Sequence, residues 1–164
     1  AARHLAALGF PVSGWSRTRK TVPGARSFAG AGEMGAFLAR TDILVCLAPH
    51  TEDTDGIVNA GALARLPRGA YLVNAGRGGL TVEADVLAAL DSGSLAGAWL
   101  DVFRQEPLAP ESPFWGHPNV IVTPHIGAVT LPGPAALEMA DTIGWFARGF
   151  RPTGWWTWAG GIDA

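Results

Sequence analysis

Three residues whose types and order could do chemistry stand out along the chain: Arg77, Glu106 and His125. Arg77 sits in Asn74-Ala75-Gly76-Arg77-Gly78-Gly79, directly after the apolar Tyr71, Leu72 and Val73. The apolar run reads as a buried strand, and the glycines let the backbone turn sharply and come close to a ligand. A cation is thereby presented just past a strand's carboxyl end. In open α/β sheets ligands collect at that edge, and a guanidinium there grips a carboxylate through two parallel hydrogen bonds. Glu106 and His125 follow two further strand-like runs, so the three polar groups fall past three successive strand ends. Taken singly, a solvated arginine, a solvated carboxylate and a core or surface histidine account for them. Taken together they suit the reduction of a 2-oxo acid, which needs a cation for its carboxylate, a proton donor for the developing alkoxide and a source of hydride. Arg77 fits the first role. His125 fits the second, because imidazole titrates nearest neutral pH, and Glu106 beside it favours the imidazolium. A positioned general acid contributes about 10²–10⁴-fold in rate. No side chain donates hydride, so the constellation requires a nicotinamide cofactor.

The elements that must position these residues alternate. Residues 1–8 read as a helix stub closed by Gly9, 12–15 and 25–28 as short strands, and 33–40 as a helix. Residues 42–47 form a continuous apolar run of the kind buried on both faces in parallel sheets. A helical pattern with glycine interruptions covers 54–66, the strand before Arg77 covers 70–74, and a helix capped by Thr81 and stopped by Gly93 covers 82–91. Residues 96–103 and 120–122 are the last strands, separated by a loop that Pro107, Pro110, Pro113 and Pro118 enforce. Pro107 and Pro124 are expected to hold Glu106 and His125 in extended backbone. A final helix is expected from Pro134 to about Ala147. This alternation predicts a doubly wound parallel α/β sheet.

Composition narrows the function class. The chain has 164 residues, is 48% hydrophobic and carries a net charge of −2. Arg17, Arg19 and Lys20 are its one basic cluster, which leaves no electrostatic footprint for nucleic acid or a membrane surface. The single cysteine, Cys46, lies inside Ile43-Leu44-Val45-Cys46-Leu47 and reads as a small buried hydrophobe, so neither a disulfide framework nor a metal site is expected. A reducing compartment follows, and cytoplasm is the expected location. The tail, with Trp155, Trp156 and Trp158, is too apolar to lie free in water and is expected to pack against something.

With its motifs on the page, the chain resembles the D-isomer-specific 2-hydroxyacid dehydrogenases, and within them the glyoxylate/hydroxypyruvate reductase A branch. The motifs are Trp15-Ser16-Arg17-Thr18-Arg19-Lys20, Leu47-Ala48-Pro49-His50-Thr51, Asn74-Ala75-Gly76-Arg77-Gly78, Leu100-Asp101-Val102-Phe103 leading to Gln105-Glu106-Pro107-Leu108, and Thr123-Pro124-His125-Ile126-Gly127-Ala128. The resemblance implies that Arg77 binds substrate carboxylate and carbonyl, and that Glu106 and His125 form the acid/base pair. It also implies that Asp101 contacts the nicotinamide end, with further cofactor contacts at Ser16, Arg17, Arg19, Lys20, Leu47, Ala48, Pro49, Asn74, Ala75, Gly76 and Gly127, and that the enzyme is a homodimer formed through the cofactor domain. Cofactor choice has a separate physical argument. An acidic residue after the second strand of such a sheet binds the ribose 2′-hydroxyl, whereas arginine there accommodates a 2′-phosphate. Here Arg17, Arg19 and Lys20 follow the strand and no acid precedes Glu33, so NADPH is expected over NADH.

The family pattern also demands a strand and a G-x-G-x-x-G turn immediately ahead of the helix that residues 1–8 continue, and neither stands there. The expected organisation is therefore an incomplete NAD(P)-binding domain at 1–129, lacking its first strand and glycine-rich turn, followed at 130–164 by a helix and tail belonging to an absent substrate domain. A fragment of this kind is expected to be inactive alone. Two other readings are a dehydrogenase-like protein that senses NAD(P)H and recruits partners, as the co-repressor branch does, and a non-functional remnant.

Overall fold

The computed structural model describes residues 1–127 and, beyond them, Gly133, Leu137, Ala140, Asp141, Gly144 and Arg148. Contacts divide the chain into a unit spanning Ala1–Ala128 and one spanning Val129–Ala164. In the second unit Gly133, Leu137, Ala140, Asp141 and Gly144 are helical. The remainder of the helix expected from Pro134, and the Trp-rich tail, lie outside the described residues.

The first unit runs α1 (Ala2–Ala7), β1 (Val12–Ser16), β2 (Ala25–Ala29), α2 (Gly30–Leu38), β3 (Ile43–Cys46), α3 (Ala60–Leu63), β4 (Ala70–Asn74), α4 (Glu83–Asp91), β5 (Leu95–Leu100) and β6 (Val120–Val122). Every strand pairing is parallel, as the alternation of elements predicts. The strands form two pieces, β1-β2 and β3-β4-β5-β6, with no ladder joining β1 to β3 among the described residues. That break falls where the sequence pattern leaves out a strand.

Register explains the core. Leu44 pairs with Leu72, Leu72 with Ala98 and Ala98 with Val120, while Cys46, Asn74, Leu100 and Val122 form the next row. These rows share one face, because alternate strand residues point the same way. They pack against Leu63 of α3, Val86 and Leu90 of α4, Phe103 and Phe114. Leu72, Leu80 and Val86 have no exposed surface, and full burial of such a side chain contributes about 1.5–3 kcal/mol. The interleaved rows carry Ile43, Val45, Tyr71, Trp99 and Ile121, all of which stay 41% or more exposed. The expectation that 42–47 is buried on both faces therefore fails: β3 has one covered face and one open one.

Two further expectations are corrected. Residues 54–66 do not make one helix: Gly56 takes φ +58, Val58 bridges to Thr81, and only Ala60–Leu63 is α-helical. Asn59 opens that short helix by accepting the Ala62 N–H, which explains why the chain restarts there. Thr81 does not cap α4. Its hydroxyl donates to the Gly78 carbonyl instead, while Val82 occupies the cap without a side-chain bond. Gly93, at φ +67, ends α4 as expected.

Candidate active site

The arginine turn is held by the strand that leads into it. Asn74 is wholly buried; its side-chain amide donates to the Arg77 carbonyl at 3.1 Å and accepts the Gly76 N–H at 3.2 Å. This is the local bonding that makes asparagine a turn residue. Glycine is required at two positions by close approach. A Cβ on Gly78 would lie 1.9 Å from the Phe103 carbonyl carbon, and one on Gly79 would lie 2.3 Å from His50 Nε2. The turn is thus pressed against the segment after β5 and against His50. Arg77 itself is exposed, donates to the Gly76 carbonyl at 2.7 Å, and has no acidic partner among the described residues.

Glu106 and His125 meet. His125 Nδ1 and Glu106 Oε2 are 2.7 Å apart, and Glu106 Oε1 accepts the Phe103 N–H at 2.9 Å. The His125 hydrogen bond, and after it the Phe103 N–H, hold the Glu106 carboxyl below the usual carboxylate range. The Glu106–Pro107 peptide bond is cis. His125 is not extended, contrary to expectation. It takes φ +55, because a preceding proline restricts the residue before it and not the one after.

What fixes that turn is Asp101. Its backbone carbonyl accepts the His125 N–H at 2.9 Å, and its carboxylate takes the Thr123 hydroxyl, the Ile126 N–H at 3.0 Å and the Gly127 N–H at 2.8 Å. Burial raises the Asp101 carboxyl, but the Thr123, Gly127 and Ile126 hydrogen bonds outweigh it and the net direction is down. Asp101 is 4% exposed and shapes the loop bearing His125. Arg77, Gly78, Gly79, Phe103, Arg104, Glu106, His125 and His50 line one cleft of about 310 Å³. The sequence singled out three of these; His50 and Arg104 carry no signal in spacing or periodicity.

The residues expected to meet cofactor stand at the carboxyl ends of strands: Ser16 ends β1 and Arg17 follows it, 47–49 follow β3, Asn74 ends β4 with 75–76 after it, Asp101 follows β5 and Gly127 lies beyond β6. Gly76 lets two of these segments close on each other, since a Cβ there would stand 3.2 Å from the carbonyls of Cys46 and Ala48. The basic cluster is divided. Arg19 donates to Ser27 O at 2.7 Å and pairs with Glu33 at 2.5 Å, whereas Arg17 is exposed and has no partner among the described residues. The Ser16 hydroxyl turns back to the Thr18 carbonyl, and the Lys20 N–H reaches Ser27 Oγ.

The letters G-x-G-x-x-G do occur once, at Gly30-Ala31-Gly32-Glu33-Met34-Gly35, following a strand. They lie inside α2, where Glu33 Oε2 already accepts the Ala29 N–H at 2.7 Å. That carboxylate would repel a phosphate, so this stretch is no substitute for the missing turn. Cys46 is buried and its thiol is pushed up to about 12 by desolvation, which removes it as a nucleophile. Among the described residues no cluster of three or more potential ligands could hold a metal ion, and no helix is long and apolar enough to cross a membrane.

Residues 1–127 match the family described as D-isomer specific 2-hydroxyacid dehydrogenase, NAD binding domain. The chain belongs to this family. Its solved relatives include a D-isomer specific 2-hydroxyacid dehydrogenase from Xanthobacter autotrophicus Py2 in complex with NADPH and MES, 43% identical with a TM-score of 0.86, matched over 93% of this chain and 63% of that one. An NADPH-dependent glyoxylate/hydroxypyruvate reductase from Sinorhizobium meliloti, in complex with NADP and sulfate, is 48% identical with a TM-score of 0.82, over 93% and 49%. A probable 2-hydroxyacid dehydrogenase from Rhizobium etli CFN 42, in complex with NADP, HEPES and tartaric acid, is 42% identical with a TM-score of 0.81, over 92% and 49%. The chain thus spans about half to under two-thirds of these dehydrogenases.

Proposed function

We propose that this chain is the cofactor-domain part of an enzyme that reduces a small 2-oxo acid of the glyoxylate or hydroxypyruvate type with NADPH, giving the 2-hydroxy acid. The observation that carries the reading is that one cleft is lined both by Arg77, whose guanidinium has no acidic partner among the described residues, and by the His125–Glu106 pair. NADP or NADPH bound to the relatives named above supports the cofactor.

The residues present fit a phosphorylated nicotinamide cofactor at two points. Arg17 offers a guanidinium past β1 for a 2′-phosphate, and Ala75, Asp101 and Gly127, which lie against one another just past the ends of β4, β5 and β6, offer a place for the nicotinamide end. When bound, the reduced cofactor supplies the hydride that adds to C2. Arg77 binds the carboxylate and orients the ketone. His125, held through Nδ1 by Glu106, has Nε2 left for the ketone oxygen and delivers the proton there, so the C=O double bond becomes C–H and O–H. Glu106 holds the imidazole in that orientation and stabilises its charge before the proton leaves.

The test is NADPH oxidation by the full-length protein with glyoxylate and hydroxypyruvate. Turnover that Arg77→Ala and His125→Ala both abolish supports the reading, and turnover indifferent to both overturns it. The 164-residue polypeptide alone should bind NADPH weakly, because its one G-x-G-x-x-G is shut by Glu33. Sedimentation of the full-length protein checks the accompanying proposal of a homodimer.

A further inference from the structure

The cleft is also lined by two polar side chains that the proposed reaction leaves unused, His50 and Arg104, and both bond Asp55. Asp55 Oδ1 accepts from His50 Nε2 at 2.8 Å and from Arg104 Nη2 at 3.0 Å. Arg104 is fixed in turn, donating to the carbonyls of Gly79 at 3.1 Å and Thr81 at 3.2 Å, while its backbone N–H meets Glu83 at 2.8 Å. The imidazole of His50 lies on Gly79, where a Cβ would come within 2.4 Å of its Cε1. One ring is therefore positioned by a carboxylate on one side and a glycine on the other.

This arrangement selects a tautomer. The His50 hydrogen bond holds the Asp55 carboxyl below its usual range, with Arg104 adding to the effect. An ionised carboxylate accepts only, so Nε2 carries the hydrogen and Nδ1 is the nitrogen able to accept one. Nδ1 has no partner among the described residues, and His50 lines the same cleft as Arg77 and His125.

We propose that His50 is a specificity residue whose Nδ1 accepts a hydrogen bond from a hydroxyl on C3 of the 2-oxo acid, favouring 3-hydroxy-2-oxo acids over analogues without that hydroxyl. The inference rests on the reductase reading of the site. It follows the rule that a pocket built to bond a hydroxyl discriminates against substrates lacking it, because its polar group is then left unpaired.

Hydroxypyruvate and pyruvate differ only at that hydroxyl, so the ratio of their kcat/KM values in the full-length protein is the measurement. His50→Phe keeps a flat ring over Gly79 and removes the acceptor; His50→Ala removes both. In each variant the hydroxypyruvate preference should fall about tenfold, mainly through KM, as the loss of one substrate hydrogen bond predicts. A wild type that does not prefer hydroxypyruvate, or variants that slow both substrates equally, would overturn the inference while leaving the reductase reading intact. A wild type that oxidises NADPH with no 2-oxo acid overturns the reductase reading, and this inference with it.

Discussion

Arg77 has no acidic partner among the described residues, and that distinguishes it from the other basic side chains of the cleft. Arg104 is tied to Asp55, and His125 is tied to Glu106. Replacing Arg77 with alanine should therefore cost substrate binding and orientation rather than folding: kcat/KM for a 2-oxo acid is expected to drop by about 10²–10³-fold with the thermal midpoint nearly unchanged. Glu106 answers differently. Its carboxyl lies below the ordinary range because the folded state bonds its charged form. The sign follows: the stabilisation is present above the unfolded-state pKa and is lost as pH falls through the lowered folded-state value. In Glu106→Gln that acid-side dependence should disappear from pH-dependent unfolding. Arg17 and Arg19 separate as well. Arg19 is spent on Glu33 and Ser27, so Arg17→Ala should raise the NADPH KM more than Arg19→Ala does, with little change in the NADH KM; equal effects on both cofactors would remove the 2′-phosphate role.

At the scale of elements, the site depends on two turns meeting after β4 and β5. Gly78 packs on the Phe103 carbonyl so tightly that Gly78→Ala must displace backbone. A loss of about 3 kcal/mol or more is expected, readable as a lowered urea midpoint. Asp101 does for the β6 turn what Asn74 does for the β4 turn, bonding the backbone that the strand end leaves open. Asp101→Asn replaces an acceptor of two N–H groups and a hydroxyl with a mixed amide, and should lower stability most above the ordinary carboxylate range, where the wild-type carboxylate is fully ionised. The sequence announces the strands well, because Leu44, Leu72 and Leu100 sit in apolar runs bounded by glycine and polar residues. It also places Arg77, Glu106 and His125 past strand ends, and the three do line one cleft. It is silent on what shapes the turns. Nothing in the spacing shows that Asp101 reaches across to residues 123–127, or that Asp55 clasps His50, since both bonds join segments remote in sequence or leave a loop without periodicity. The false helix at 54–66 has the same origin: Gly56 and Asn59 are legible only when their turns are seen.

For the whole molecule, parallel pairing gathers the carboxyl ends of neighbouring strands along one edge, and this is why residues from four separated motifs line one cleft. The same architecture leaves a row of apolar side chains, from Ile43 across to Ile121, on the open face of the four-stranded sheet. Trp99 stands in that row, half exposed, and its indole N–H donates to the Thr123 hydroxyl at 3.1 Å, which itself donates to Asp101. Asp101 in turn bonds the backbone N–H groups of His125, Ile126 and Gly127. An optical probe is therefore already wired to the loop of His125, the proposed proton donor. In a variant of the full-length protein keeping Trp99 as its one tryptophan, the emission of that indole should change when the loop of His125 rearranges, and the acid's resting and engaged positions could be followed without any added label.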